Sequence, residues 1–164
     1  MPRDILDHLP EEGSHIVPAD RGKRFFAFLI DILPITLLTA WVFYSFFGFD
    51  EVLGRYLTER NDIETRRYFL EQRGWIRSLA FLIWIVYSLL MDSSDRQGTL
   101  GKQWMGLKVV DEYGLPLGLK QSAARNLGKV LSYLPLSLGF FWILFDKQRQ
   151  GWHDKIARTF VVEK

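Results

Sequence analysis

Residues 25–49 read FFAFLIDILPITLLTAWVFYSFFGF, 25 residues with one charge, Asp31. A helix needs about 20 predominantly apolar residues to cross roughly 30 Å of hydrocarbon, so this run is long enough to span with some tilt. Arg21, Lys23 and Arg24 crowd its start, and Trp41 and Tyr44 lie towards its far end. A cationic entry and an aromatic exit describe a spanning helix that starts in the cytoplasm. The other reading is the core helix of a soluble protein, which is rarely apolar on every face for so long.

Two further apolar blocks follow. Residues 78–91, SLAFLIWIVYSLLM, reach a spanning length when residues 75–77 are added, with Arg77 able to snorkel to the headgroups. Between the first two blocks lies a charged stretch with five basic and six acidic residues, in which Asn61 and Glu64 have capping-box spacing and predict a helical, solvated loop. The third block, residues 130–145, has only 16 residues and contains Pro135 and Gly139, which leaves it between a third span and a re-entrant hairpin. A third span leaves no basic bias between the two sides. A hairpin puts 15 basic residues inside against 6 outside, the arrangement that the positive-inside rule favours.

Residues 107–110 and 115–117 flank Asp111, Glu112, Tyr113 and Gly114, the pattern of a β-hairpin turn, and residues 159–162 (TFVV) read as a further strand or a frayed tail. If the strand pairs with the segment after the second span, the C-terminus lies on that segment's side of the membrane. The expected fold is therefore an all-α integral membrane protein: two transmembrane helices, a third short hydrophobic segment (re-entrant hairpin or third span), and a small cytoplasmic β-hairpin element. Residues 1–20, polar with three prolines, form an N-terminal tail without a signal-peptide core, and residues 21–164 form the membrane domain.

Composition closes off several functions. With no Cys, the 164-residue chain has no disulfides, thiolate zinc sites or cysteine nucleophile. A net charge of +2 gives no field for nucleic acid. The run GTLGK at residues 98–102 has two residues between its glycines instead of four, and Gln103 stands where a phosphate loop needs a hydroxyl. No catalytic set, metal spacing or cofactor motif is visible, so no enzyme is expected; the partners expected are the lipid bilayer and either further copies of the chain or another membrane protein.

The polar residues within the apolar blocks are the candidates for function. Asp31 is seven residues, about two turns, after Arg24 and about 10 Å deeper. An ionised Asp at helix centre costs roughly 2.5–3.5 kcal/mol on insertion scales, so a partner is expected, with Arg24 or Arg125 the leading choices. Pro34 frees the Ile30 carbonyl beside Asp31, which makes a cation or proton site one reading and a buried ion pair pinning helices the other. Asp154 follows Trp152 and precedes Ile156, whose i, i+4 spacing suits an interfacial helix, and either tucks towards the bundle or caps that helix. His153 is read as interfacial.

Together these motifs, RFFAFLID at residues 24–31, GTLGK at 98–102, GLKVVD at 106–111, Arg125, GWHD at 151–154 and TFVV at 159–162, resemble the RDD family of bacterial membrane proteins from about residue 21 to the end. Residues 92–97 (DSSDRQ) depart from the pattern in being more charged. The family's one Arg and two Asp carry over as Arg24, Asp31 and Asp154. The resemblance implies fold and location in the cell (inner) membrane, as a multi-pass protein, and no general chemistry, although transport has been suggested for some members. Two functions follow: a transporter or transporter subunit that moves protons or small cations by way of Asp31, for which one copy is too small to enclose a pathway, or a non-transporting adaptor in which Arg24, Asp31, Arg125 and Asp154 form a polar lock and the glycine-rich segment docks a partner.

Overall fold

Asp20 starts the first helix. Its carboxylate accepts from the backbone N–H groups of Gly22 (2.8 Å) and Lys23 (3.2 Å), which satisfies first-turn donors and lets α1 run from Arg21 to Phe46. The computed structural model describes residues 17–133, 140 and 142–164. After Gly48, which turns the chain at φ +68°, α2 (Phe49–Thr58) leads to α3 (Ile63–Asp92), a single 30-residue helix that contains both the charged stretch and the second apolar block. Its cap is Asp62, one residue later than the capping-box spacing placed it, with the carboxylate accepting from Thr65 N at 2.7 Å.

The long helices are inside out by soluble standards. α1 buries Ala27, Asp31 and Thr39 while Leu33, Leu37, Leu38 and Trp41 are exposed. α3 buries a stripe at every fourth position, Ile76, Ala80, Trp84, Ser88 and Asp92, and packs against both α1 and α5. Phe28 meets Trp84 edge to face at 5.3 Å. Both helices are long and apolar enough to cross a membrane, and they run antiparallel, so the start of α1 lies beside the end of α3.

Everything else gathers at that end. α4 (Leu100–Trp104) packs on α1, followed by β1 (Leu107–Asp111), α5 (Leu119–Tyr133), a 3₁₀ turn (Trp142–Leu144), α6 (Trp152–Ile156) and β2 (Thr159–Glu163). β1 pairs antiparallel with β2, from Leu107 opposite Glu163 to Asp111 opposite Thr159. The expected local hairpin is corrected here. The turn forms, with Asp111 Oδ1 accepting from Tyr113 N and Leu115 N, but residues 115–117 contribute one bridge, Val110 to Pro116, because Pro116 has no N–H to extend a ladder. The C-terminal strand is the true partner. Ala19 N donates to Val161 O at 2.8 Å, which ties the start of α1 to the same sheet, over a small core of Ala27, Leu107, Val109, Leu117 and Val161.

The third apolar block begins within α5, earlier than its composition shows, and Pro135 and Gly139 lie outside the described residues. Its two ends share one location: Lys129 is buried near Asp92, and at the far end of the block Arg21 donates to the carbonyls of Ile143 (3.1 Å) and Asp146 (3.3 Å).

Candidate functional site

α5 shows how the polar end is assembled. Ser122, Arg125, Asn126, Lys129 and Ser132 recur at helical spacing and are all buried, while Leu119, Leu127 and Leu131 face outward. A helix whose polar face turns inward must find charge partners there, since a buried unpaired charge is costly.

The partners form a continuous alternating chain. Lys102 Nζ meets Asp92 Oδ1 at 2.5 Å, Asp92 Oδ2 meets Arg125 Nη1 at 2.7 Å, and Arg125 reaches Asp154 Oδ1 through Nη2 (2.8 Å) and Nε (3.0 Å). Asp154 Oδ2 then meets Arg24 Nη2 at 2.6 Å and accepts from Gly151 N at 3.0 Å, while Arg24 Nη1 donates to the carbonyl of Arg149. The chain Arg24–Asp154–Arg125–Asp92–Lys102 thus joins α1, α6, α5, α3 and α4 through side chains at most 14% exposed. Burial opposes charge on Asp154, and Arg24 and Arg125 outweigh it, holding the carboxyl well below its ordinary value. Burial also opposes charge on Arg125, and Asp154 and Asp92 overcome it, so that guanidinium stays charged. For Lys102 burial wins over Asp92 and the pKa falls.

Asp31 is outside this chain, which corrects the expected pairing with Arg24 or Arg125. Its Oδ1 accepts from Gly101 N at 2.8 Å and from the Tyr87 hydroxyl at 3.4 Å, and that hydroxyl in turn accepts from Leu100 N at 2.7 Å. Asp31 therefore caps the first turn of α4 together with Tyr87 and Thr99. The reason is reach: two turns separate Arg24 from Asp31 on their shared helix, whereas Asp154 presents its carboxylate directly to Arg24. Gly101 allows the approach, because a Cβ there would stand 2.1 Å from the Ala27 carbonyl oxygen.

His153 is buried instead of interfacial. Its Nδ1 lies 3.4 Å from the Ser132 hydroxyl and its ring 5.2 Å from that of Phe140. Burial pushes its pKa down to about 3, so the imidazole is neutral at physiological pH. Asp154 both caps α6 and tucks into the bundle. The sequence reading brought Arg24, Arg125 and Asp154 to notice but passed over Asp92, Lys102 and Lys129 as members of the cluster. The signals were present in the single acid closing the second apolar block and in the i, i+4 pair Arg125 and Lys129.

A cavity of about 790 Å³ opens beside this chain, between α1, α3 and α5. Its walls carry Phe25, Phe28, Ile32, Phe81 and Trp84, and at its polar end Lys102, Arg125 and Lys129.

Residues 18–158 match the RDD family. The chain is 32% identical over 160 residues to the uncharacterized protein YxaI of Bacillus subtilis (strain 168), covering 90% of this chain and 98% of that one. It is also 32% identical over 91 residues to the proline-rich antigen of Mycobacterium leprae (strain TN), a match over 52% of this chain and 34% of the antigen. No solved structure matches. The family match over residues 18–158, most of the chain, makes this a membrane-type protein of the RDD family.

Proposed function

We propose that this protein is a multi-pass protein of the cell (inner) membrane that works as a non-transporting, non-enzymatic scaffold. In this reading α1 and α3 cross in opposite directions, the third block re-enters and returns, and both termini and the polar end face the cytoplasm. The observation that carries the proposal is the buried chain from Arg24 to Lys102: its charges are spent on each other and on backbone groups, tying five elements into one platform. The 15 to 6 split of basic residues and the shared location of the third block's ends support the orientation. Trp104, 79% exposed beside the glycine-rich segment, offers a surface for a membrane-protein partner or a second copy.

One observation favours transport of protons or small cations: Asp31 is buried and lines the cavity. With two spans a single copy does not enclose a pathway, so this reading requires a homo-oligomer. The test is proton and alkali-cation flux in proteoliposomes holding correctly inserted wild type and Asp31→Asn. Scaffold function predicts leak rates equal to empty vesicles for both. Flux in the wild type that collapses in Asp31→Asn overturns it.

A further inference from the structure

The ion chain leaves one buried cation outside any ion pair among the described residues. Lys129 is 3% exposed, and among the described residues its ammonium makes neither hydrogen bond nor ion pair; it rests over the Trp84 ring, 4.1 Å from the centroid. Two more buried groups on the same side are also unpartnered among the described residues, Trp84 Nε1 and Ser88 Oγ, one turn apart on α3. All three residues line the cavity. Lys129 and these two neutral donors, which belong to residues lining one space, lack an acceptor, and unpaired buried polar groups are rare enough to call for an explanation.

The shape of the space limits what that acceptor can be. From Arg24 to Thr36 the α1 wall runs 12 residues, about 18 Å at 1.5 Å per residue, through Phe25, Phe28 and Ile32. Phe81 and Ala80 continue the apolar surface on α3. The cavity is therefore cationic at the Lys129 end and mostly apolar along its length, with Asp31, already bonded to Gly101 N, on the α1 wall and Arg77 on the α3 wall. A small inorganic anion leaves the apolar part empty, and a neutral apolar molecule leaves Lys129 uncompensated.

We propose that the cavity holds one anionic phospholipid, its phosphate accepted by Lys129, Trp84 Nε1 and Ser88 Oγ and an acyl chain lying along Phe25, Phe28 and Ile32. This goes beyond the scaffold reading and does not depend on it, because ion flux and lipid retention are separate measurements. Arg125 and Lys102, already paired with Asp92 and Asp154, add positive potential without competing for the headgroup. Burial opposes protonation of Lys129 more than the nearby Asp92 favours it, with Lys102 and Arg125 adding to the penalty, and a phosphate relieves that penalty.

The experiment uses the full chain in a nonionic detergent. Retained lipid is read by native mass spectrometry and thermal stability by unfolding, with phosphatidylglycerol, phosphatidylcholine or inorganic phosphate added at equal concentration. Wild type is expected to retain one phosphatidylglycerol and to gain stability from it, with phosphatidylcholine and inorganic phosphate having little effect. Lys129→Gln is expected to lose about tenfold or more of the preference for phosphatidylglycerol over phosphatidylcholine, the scale of a hydrogen bond to a charged group. Lys129→Arg should keep it, as should Lys120→Gln, which removes an equal charge from the exposed face of α5. Ser88→Ala removes a donor but no charge and gives a smaller loss, and it serves as the test if Lys129→Gln fails to fold. In lipid-free detergent Lys129→Gln should be no less stable than wild type. Equal retention of the two lipids by wild type, an unchanged preference in both Lys129→Gln and Ser88→Ala, or stabilisation by inorganic phosphate alone overturns the proposal.

Discussion

Arg125 is the centre of the polar chain, and its removal tests whether the chain acts as one unit. It holds Asp154 through two bonds of 2.8 and 3.0 Å and Asp92 through one of 2.7 Å. Removing one member of a buried ion pair costs about 3–5 kcal/mol because the survivor is left in low dielectric. In Arg125→Gln each carboxylate keeps a second cation, Arg24 at 2.6 Å and Lys102 at 2.5 Å, so the loss belongs at the lower end, about 3 kcal/mol. Asp154→Asn strips the carboxylate charge from Arg24 and from one side of Arg125, and belongs at the upper end. At about 2–4 °C per kcal/mol for a chain of this size, Arg125→Gln should lower Tm by about 6–12 °C. The double variant should be less destabilised than the sum, by about 1–3 kcal/mol, because the second substitution removes a charge that the first had orphaned. Reversible unfolding in detergent for wild type, both single variants and the double variant closes the cycle. Additivity within about 0.5 kcal/mol, or single losses below about 1 kcal/mol, refutes direct coupling.

Gly101→Ala places a methyl 2.1 Å from the Ala27 carbonyl oxygen and separates α4 from α1, so a loss of about 1–3 kcal/mol is expected, and a wild-type Tm would show that the approach is not this close. Asp31→Asn weakens a charge-assisted cap by about 1 kcal/mol, and combining it with Arg24→Gln should give additive losses, since the two side chains bond different partners; strong coupling in that pair would restore the Arg24–Asp31 contact. Stability should fall on acidification in two stages. His153 has an ordinary pKa of 6.5 and a folded one of about 3, so the unfolded chain alone takes up this proton below pH 6.5 and stability drops as pH falls through that window. Asp154, depressed from 3.8, adds a loss only as pH falls below about 4. Thermal unfolding at pH 7 and pH 5 should therefore show a smaller difference for His153→Asn than for wild type, and equal differences would remove His153 from the effect.

How far the sequence could be read depended on which periodicity the residues obey. α1 was legible because 25 residues with one charge admit few folds, and the β1 to β2 pairing was legible as two β-branched runs. α5 was not, because its polar residues face inward and its leucines outward; an apolar window registered only the end of the helix, from Val130 onward. The charge cluster was half legible for the same reason. Arg24, Arg125 and Asp154 stood out through the family pattern, whereas Asp92 and Lys102 looked like solvated flanks of an apolar block. Pairing depended on tertiary approach that spacing along one helix does not contain: Asp31 found the backbone of α4, 70 residues away, instead of an arginine.

The proposed topology puts the termini, the sheet and the polar chain on the cytoplasmic side, with α2 and the start of α3 outside. Because the chain has no Cys, single cysteines at Val17, Thr58 and Lys164 report each location without background. In intact cells an impermeant thiol reagent should label position 58 alone, and positions 17 and 164 only after the membrane is permeabilised. Labelling of position 164 in intact cells would carry the third block across the membrane and contradict the pairing of β2 with β1.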